Sequence, residues 1–232
     1  MKLVRVGLVA SLKAVVFDVD FTLALPGPSL GAAGYVEVGR RYGLSLDPAL
    51  HDSARLAALQ TLERHPELDH DEELWVLFTE RIIVGMGGDG DTHEAAVEMT
   101  RAWEQAAHFE LYPDVAGTLD VLRGHGLRIG LLSNTARDLD AFVVHHGLAV
   151  DALLTSRTHG KTKPHEAIFL DILGRLEVSA DEAVMVGDSL EDDIDGAHAV
   201  GMRALLVDRD GRYPEHPDRL DSLAGLAAAV GL

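Results

Sequence analysis

The stretch VVFDVDFTL, Val15 to Leu23, joins an apolar run to two acidic residues. Its first half, Val15 to Phe17, is an apolar run of the kind that forms a strand buried on both faces. Two carboxylates, Asp18 and Asp20, follow directly. A spacing of two places them on the same side of an extended chain, where they repel each other unless a cation lies between them or one is protonated. The stretch therefore predicts a buried strand that ends in a chemical site.

Beyond about residue 113, short apolar runs alternate with helical patterns. The runs that predict strands cover residues 127–133, 151–156, 183–188 and 203–208. Amphipathic helices are predicted between them, including one that begins at Pro164, a residue suited to a first helical position. Such alternation requires right-handed crossovers and indicates a doubly wound parallel sheet, which the run at 13–17 joins.

Residues 26–108 interrupt this alternation. They contain helical stretches predicted to begin near Ser29, Asp47, Asp71 and Asp91, the last with Glu94 as its capping partner. A connection of this length is not a loop within a compact domain. We therefore predict an inserted helical domain at 26–108, with residues 1–25 and 109–232 forming the sheet domain.

Composition excludes several functional classes. The 232 residues are 47% apolar, and 20 basic against 38 acidic residues give a formal charge of -18, which argues against a broad nucleic-acid-binding face. The absence of cysteine excludes disulfides and thiolate chemistry. No apolar run reaches membrane-spanning length, and Lys13 interrupts the only apolar patch that resembles a signal peptide. We expect a cytoplasmic protein with no membrane partner, and residues 1–12 join none of the predicted elements.

Polar side chains gather at the carboxyl ends of the predicted strands, where open parallel sheets bind ligands. In chain order they are Asp18, Asp20 and Thr22, then Ser133, Asn134 and Thr135, then Lys161 and Lys163, then Asp188, Asp192 and Asp193. The carboxylates of Asp18, Asp20 and Asp188 are expected to converge, and three such groups without histidine or cysteine suit magnesium. The hydroxyl, amide and ammonium groups supply the hydrogen-bond donors and positive charge that phosphoryl oxygens require. Together they indicate a phosphoryl-transfer site.

The order DVDFT, SN, KP and GDSLEDD resembles the four motifs of the haloacid dehalogenase superfamily, over about residues 13–208. The helical insertion lies where that family has its α-helical cap. The resemblance implies an α/β protein with a Rossmann-like, doubly wound parallel sheet core and an inserted α-helical cap domain.

The resemblance also implies roles for the acids. Asp18 would be the nucleophile, forming an aspartyl-phosphate. Asp20 would protonate the leaving oxygen and then accept a proton from the hydrolytic water. Magnesium would be held by the carboxylate of Asp18, the backbone carbonyl of Asp20 and the carboxylate of Asp188, with Asp193 in support.

For the donors, the resemblance implies that Ser133 and the backbone amide of Asn134 hold the phosphoryl group. Thr22 is a further candidate for phosphate binding, with satisfaction of backbone groups at the strand exit as its alternative role. Lys163 would neutralise charge on both the nucleophile and the phosphate, and Pro164 would start the helix that directs this lysine.

Different chemistries occur in this superfamily, and the sequence separates some of them. The 2-haloacid dehalogenases lack an acid two residues after the nucleophile and need no magnesium, so Asp20 favours phosphate chemistry. Phosphonate-cleaving relatives use a cap lysine, whereas residues 26–108 contain no lysine. A phosphomutase and a catalytically weak regulatory binding protein remain alternatives. We expect a magnesium-dependent phosphatase of small phosphorylated metabolites, monomeric or homodimeric, with no nucleic-acid partner.

Phe21 departs from the resembled motif, in which glycine is usual at this position. Two placements are open for its ring. It either fills the core, or it faces the cap and forms an apolar wall beside the leaving group that helps to exclude water.

Overall fold

The computed structural model describes residues 11–60 and 64–232, and its centre is a six-stranded parallel sheet. The six strands of this sheet are β1 (Ala14–Phe17), β4 (Arg128–Ser133), β5 (Ala152–Thr155), β6 (Ala183–Gly187), β7 (Arg203–Val207) and β8 (Arg219–Leu220). Two further strands, β2 (Ala24–Pro26) and β3 (Phe109–Leu111), form a separate pair. The order across the sheet is β5-β4-β1-β6-β7-β8. Strand β1 therefore lies in the middle, between β4 and β6, and the predicted α/β core is confirmed.

Both faces of the sheet are buried, as the apolar runs predict. Along β1, Val15 and Phe17 belong to one hydrophobic cluster, and Ala14 and Val16 belong to another on the opposite face. This alternation follows from the two-residue period of a strand. A strand packed on both sides is held rigidly, which gives the residues after Phe17 a defined position.

Helices cover the sheet and build the inserted domain. They are α1 (Ala32–Arg41), α2 (His51–Gln60), α3 (Glu72–Gly85), α4 (His93–Trp103), α5 (Val115–Gly124), α6 (Leu139–His146), α7 (Ser156–His159), α8 (Glu166–Arg175), α9 (Gly196–Ala199) and α10 (Leu226–Ala229). Helices α1 to α4 all lie within residues 26–108. They account for the four helical stretches predicted there.

A short ribbon connects the inserted helices to the sheet domain. Strands β2 and β3 pair antiparallel, with Ala24 opposite Leu111 and Pro26 opposite Phe109. The chain thus leaves and re-enters the sheet domain through adjacent strands. The domain limits at residues 25/26 and 108/109 stay a prediction, and the ribbon lies at both of them.

The helix ends agree with the local sequence signals in one case and differ in two. Asp71 caps α3 as predicted, its side chain accepting a hydrogen bond from the Glu73 amide. The prediction for α4 is wrong: the helix begins at His93 after Thr92, with no side-chain cap, because the Thr92 hydroxyl donates to Glu80 instead. The predicted start of α8 at Pro164 is also wrong.

Helix α8 begins two residues after Pro164, at Glu166. His165 is its N-cap, with the ring Nδ1 accepting a hydrogen bond from the Ala167 amide. Proline therefore lies just outside the helix, and the histidine ring accepts from the amide of the second helical residue.

The exit from β1 is a tight turn built around Phe21. Its backbone has φ 65°, in the left-handed region, and its amide donates to the Ala24 carbonyl. The amides of Leu23 and Ala24 both donate to the Val19 carbonyl. Phe21 is 40% exposed, so the alternative in which its ring fills the core is wrong. The apolar wall facing the cap stays a prediction.

Within residues 11–60 and 64–232, no helix is both long and apolar enough to cross a bilayer. The signal-peptide question concerns mainly residues 1–10, which lie outside the described residues.

Candidate active site

Three carboxylates meet at the carboxyl edge of the sheet. Asp18 follows β1, Asp188 follows β6, and Asp193 lies in the helical turn Leu190–Asp195 that comes next. One carboxylate oxygen from each lies within 4.8 Å of the others. Strands β1 and β6 are direct neighbours in the sheet, so their ends are brought together by the fold itself.

Gly187 allows the third acid to approach. A Cβ atom at this position would lie 2.2 Å from the carboxyl group of Asp193, which no real contact permits. The Asp193 Oδ2 atom accepts a hydrogen bond of 3.0 Å from the Ser189 amide. The GDSLEDD sequence thus combines a glycine that makes room with a turn that directs one carboxylate inward.

Lys163 lies between two of these acids. Its Nζ atom is 2.7 Å from Asp18 Oδ1 and 2.6 Å from Asp193 Oδ1, and its side chain is 2% exposed. Burial alone would lower the pKa of Lys163, but the two carboxylates outweigh burial and raise it above its ordinary value. The ammonium group is therefore a permanent positive charge in the centre of the site.

One ammonium does not neutralise three carboxylates. Burial is the main cause that raises the pKa of Asp18 well above its usual value, with Asp193 and Asp188 adding to it and Lys163 opposing it. Burial, together with Asp193, raises the pKa of Asp188 to about 6, against the opposing effect of Arg212. The excess negative charge suits a further cation, and an all-oxygen donor set fits magnesium.

Asn134 holds the backbone of Lys163 on both sides. The Asn134 Oδ1 atom accepts from the Lys163 amide at 2.7 Å, and its Nδ2 donates to the Lys163 carbonyl at 3.0 Å. The side chain is thus occupied by positioning the lysine, which leaves the backbone amide for the predicted phosphate contact. Ser133 is buried at the end of β4, opposite Thr155 in register. Phosphate binding by Ser133 and Asn134 stays a prediction.

Thr22 lies next to the strand exit and is fully buried. Its hydroxyl has no hydrogen-bond partner within the described part of the chain, and its carbonyl accepts from Arg209 Nη2 at 3.0 Å. The alternative role, in which Thr22 satisfies backbone groups at the strand exit, is therefore wrong for its side chain. Its role in phosphate binding stays a prediction.

The predicted convergence of the Asp20 carboxylate with those of Asp18 and Asp188 is wrong, because the Asp20 side chain lies outside the carboxylate cluster and Asp193 takes the third place. The Asp20 side chain receives two hydrogen bonds from Arg137, Nη1 to Oδ1 at 2.8 Å and Nη2 to Oδ2 at 3.2 Å. Its predicted contact with magnesium is through the backbone carbonyl, so the side chain is free for a different task. Sequence reasoning missed Arg137. The only signal was its position four residues after Ser133, and an arginine after a strand end is usually solvated.

The inserted domain reaches this edge of the sheet through residues 64–70, which we call the cap loop. Arg64 pairs with Asp192, with Nη2 3.1 Å from Oδ2. Asp69 pairs with Lys161 at 2.6 Å. Asp192 is therefore directed to the cap loop, while its neighbour Asp193 joins the carboxylate cluster. Lys161, grouped by the sequence with the other polar residues at the strand ends, also pairs with the cap loop and lies outside the cluster.

The chain thus combines a parallel α/β sheet, an inserted set of helices and an aspartate–lysine centre at the carboxyl edge of that sheet. The family model of the haloacid dehalogenase-like hydrolases matches residues 12–201. The chain therefore belongs to the haloacid dehalogenase-like hydrolase family, which confirms the resemblance and the enzyme class read from the sequence.

Similar proteins include both phosphatases and a dehalogenase. A ribulose-1,5-bisphosphate 5-phosphatase of Halopiger xanaduensis is 32% identical over 205 residues, covering 84% of each chain. The structure of a HAD phosphatase from Thermococcus onnurineus is 28% identical with a TM-score of 0.65, covering 95% of this chain and 98% of that one. A 2-haloacid dehalogenase structure from Pseudomonas syringae is 26% identical with a TM-score of 0.63, covering 94% and 98%.

Proposed function

We propose that this protein is a magnesium-dependent phosphatase that hydrolyses phosphoric monoesters of small metabolites through an aspartyl-phosphate on Asp18. The observation that carries the proposal is the contact of Lys163 with both Asp18 and Asp193, beside Asp188. A nucleophilic carboxylate, a fixed positive charge and a cluster of hard oxygen donors meet there within a few ångströms.

In the first step, a carboxylate oxygen of Asp18 attacks phosphorus and the bond to the ester oxygen breaks. Asp20 donates a proton to that oxygen, so that an alcohol leaves. In the second step, Asp20 takes a proton from water, which attacks phosphorus and releases inorganic phosphate and the free Asp18 carboxylate. Lys163 offsets negative charge on the nucleophile in both steps.

Magnesium would be held by the carboxylates of Asp18, Asp188 and Asp193 and by the backbone carbonyl of Asp20. When bound, it offsets the repulsion between the attacking carboxylate and the phosphoryl oxygens. Ser133 and the Asn134 amide are proposed to bind the phosphoryl oxygens.

Dehalogenation is the second candidate, because a 2-haloacid dehalogenase is among the similar structures. That reaction needs a carboxylate nucleophile but no proton for a halide leaving group, so it gives Asp20 no task. The bidentate contact of Asp20 with Arg137 shows that this fold holds the second acid in a defined place. This supports phosphate ester hydrolysis, in which the leaving oxygen requires a proton. Phosphomutase activity stays an alternative, and so does a catalytically weak binding role.

The deciding experiment measures phosphate release from an aryl phosphate by the purified chain, with magnesium and with a chelator. We expect activity with magnesium only, and a loss on the order of 10^3 or more in Asp18→Asn, which removes the nucleophile and a metal ligand together. A panel of phosphorylated sugars and other small metabolites, chosen because a similar protein acts on a sugar bisphosphate, would then rank substrates.

Asp192→Asn is the matched control, because this acid is adjacent to Asp193 yet pairs with Arg64 outside the carboxylate cluster. Halide release from a 2-haloacid without magnesium, in the absence of phosphatase activity, would replace the proposal by its alternative. Full activity of Asp18→Asn would contradict the covalent route.

A further inference from the structure

Arg137 is a buried cation whose donors are directed at one acid and one backbone group. Its side chain is 1% exposed. Nη1 and Nη2 donate to the two oxygens of Asp20, at 2.8 and 3.2 Å, and Nε donates to the Trp103 carbonyl at 3.2 Å. A buried guanidinium is costly unless it is paired and hydrogen-bonded, and a bidentate contact fixes both partners in one plane.

Aromatic rings hold the guanidinium from its faces. Its central carbon lies 3.5 Å from the centroid of the Phe109 ring and 5.5 Å from that of Phe142. The Arg137 amide also donates to the Thr135 hydroxyl at 3.1 Å. Backbone, ring faces and donors are thus all constrained, so the arginine presents a rigid fork.

The two partners differ in exposure. The Asp20 side chain is 24% exposed while that of Arg137 is 1% exposed. The arginine therefore lies behind the carboxylate and leaves part of it open. This is the geometry of a support for Asp20, and not of a group that itself contacts substrate.

The contacts of Arg137 also span the boundary between cap and core. Trp103 is the last residue of α4, and Phe109 is the first residue of β3, the strand by which the chain returns from the cap. Phe142 belongs to α6 of the core. A single guanidinium thus connects the end of the cap, the return strand and the second acid.

We infer that Arg137 is the positioning residue for Asp20 and that it ties the orientation of this proton donor to the end of the cap. The inference rests on the proposed function, because it assigns Arg137 a task only if Asp20 transfers protons. A general acid must lie within hydrogen-bond reach of the leaving oxygen, and small misplacements reduce its contribution steeply.

The test compares an alkyl phosphate with an aryl phosphate, since an alkoxide requires a proton to leave and a phenolate requires it much less. In Asp20→Asn, the alkyl substrate should lose kcat/KM by a larger factor than the aryl substrate. Arg137→Gln should show the same pattern, with the alkyl-to-aryl ratio falling about tenfold or more. Arg137→Lys keeps the charge without the fork and should give a smaller fall in the ratio.

A double-mutant cycle then asks whether Arg137 acts through Asp20. In the Asp20→Asn background, Arg137→Gln should change kcat/KM by less than about threefold, because the residue it supports no longer transfers protons. Losses that multiply would mean that the two residues act independently, and would overturn the inference.

Arg209→Gln is the matched control. Arg209 also makes a bidentate pair, with Asp114 at 3.0 Å, lies 3.7 Å from the Tyr112 ring centroid and donates to a backbone carbonyl. Its loss should lower the melting temperature without changing the alkyl-to-aryl ratio. If Arg137→Gln lowers the melting temperature and leaves the ratio unchanged, Arg137 is a structural residue and the inference fails.

The outcomes separate the two proposals. Absence of magnesium-dependent phosphatase activity in the wild type would remove the proposed function itself. A leaving-group effect in Asp20→Asn with none in Arg137→Gln or Arg137→Lys would overturn only the role of Arg137. If Arg137→Gln does not fold, Arg137→Lys and its combination with Asp20→Asn complete the same cycle and decide the question.

Discussion

Phe21 occupies a backbone position that suits glycine. Its φ of 65° lies in the left-handed region, which costs a residue with a Cβ atom roughly 1–2 kcal/mol. The turn amides are nonetheless hydrogen-bonded, and the ring is 40% exposed beside the chemical site. A side chain kept at a strained position while gaining little burial is a candidate for function, because neither packing nor backbone preference favours it.

We predict that two substitutions at this residue differ in stability but change substrate specificity in the same way. Phe21→Gly should unfold at a higher temperature than Phe21→Ala, because glycine relieves the backbone strain and alanine retains it. The free energy of unfolding of the two variants should differ by about 1 kcal/mol. Both variants lose the ring, so both should alter the ranking of kcat/KM across leaving groups in the same way. Calorimetry and a substrate series measure the two effects.

A changed ranking in only one of the two variants would mean that backbone strain, and not the ring, influences specificity. An unchanged ranking in both would contradict the apolar wall beside the leaving group.

The segment between β5 and α8 carries two lysines with different tasks. Lys163 points into the carboxylate cluster, whereas Lys161 donates to the Glu67 carbonyl at 2.9 Å and pairs with Asp69 of the cap loop. Backbone hydrogen bonds join the same two segments: the Thr162 amide donates to the Leu68 carbonyl, and the His70 amide donates to the Gly160 carbonyl. A shift of two positions along this segment thus separates a site residue from a residue that holds the cap loop.

The two lysines form a matched pair for substitution. Lys163→Met should lower kcat by roughly 10^2 to 10^3, since it removes the positive charge beside the nucleophile. Lys161→Met should lower kcat by less than about tenfold, because the backbone hydrogen bonds still hold the cap loop and an exposed ion pair contributes at most about 1 kcal/mol. Steady-state kinetics on one substrate compares them, and equal losses would contradict this division of tasks.

His70 attaches the cap loop to the first residue of α7. Its Nδ1 atom lies 2.9 Å from the Ser156 hydroxyl, and its buried Nε2 has no hydrogen-bond partner within the described residues. Burial lowers the pKa of His70 below 6.5, with Arg157 acting in the same direction and Glu72 and Asp71 opposing it. The folded chain therefore favours the neutral ring.

The sign of the pH effect follows from linkage. The unfolded chain takes up a proton near the ordinary pKa of 6.5, while the folded chain does so only at lower pH. Stability from the neutral ring is thus complete above pH 6.5 and is lost as the pH falls through the lowered pKa. We expect the melting temperature of His70→Gln to fall less than that of the wild type when the pH is lowered from about 7.5 to about 5.5.

Substitution of the exposed His145 by glutamine is the control for histidine content, and it should keep the acid sensitivity of the wild type. If His70→Gln and the wild type lose the same melting temperature on acidification, the cap loop is not the acid-sensitive contact.

At the scale of the whole molecule, folding and cation binding are coupled. The site joins segments distant in the chain: Lys163 is 145 residues from Asp18 and 30 from Asp193. No such cluster exists in an unfolded chain, so a cation that binds it stabilises the folded state by RT ln(1 + [L]/Kd). The overall charge of -18 adds repulsion between the acidic groups of the folded chain, and a bound cation reduces this repulsion locally.

We predict that magnesium raises the melting temperature of the wild type and that a chelator reverses the increase. At 100 times its Kd, magnesium adds about 2.7 kcal/mol, or several degrees for a chain of this size. Asp193→Asn should show a reduced shift, since it removes one oxygen donor from the cluster, while Asp192→Asn should keep the full shift. Equal shifts in the two variants would place the cation elsewhere.

Local sequence patterns were sufficient to predict most of the sheet and the inserted helices. Apolar runs that end in polar residues predicted five of the six strands of the parallel sheet. Residues 26–108 could be assigned to a separate helical insertion because they contain only helical patterns and interrupt the alternation of strands and helices. The acids after β1 and β6 and the lysine before α8 could be identified because the sheet carries strand ends to one edge, whatever the details of packing.

Tertiary structure alone decided which groups became partners. Arg137 and Asp20 are 117 residues apart, and no spacing in the sequence indicates that they form a bidentate pair. Asp192 and Asp193 lie in one acidic turn, yet Asp192 pairs with the cap loop and Asp193 enters the cluster beside Lys163. Partner choice of this kind is set by where packed elements place each side chain, which is a property of the whole folded chain.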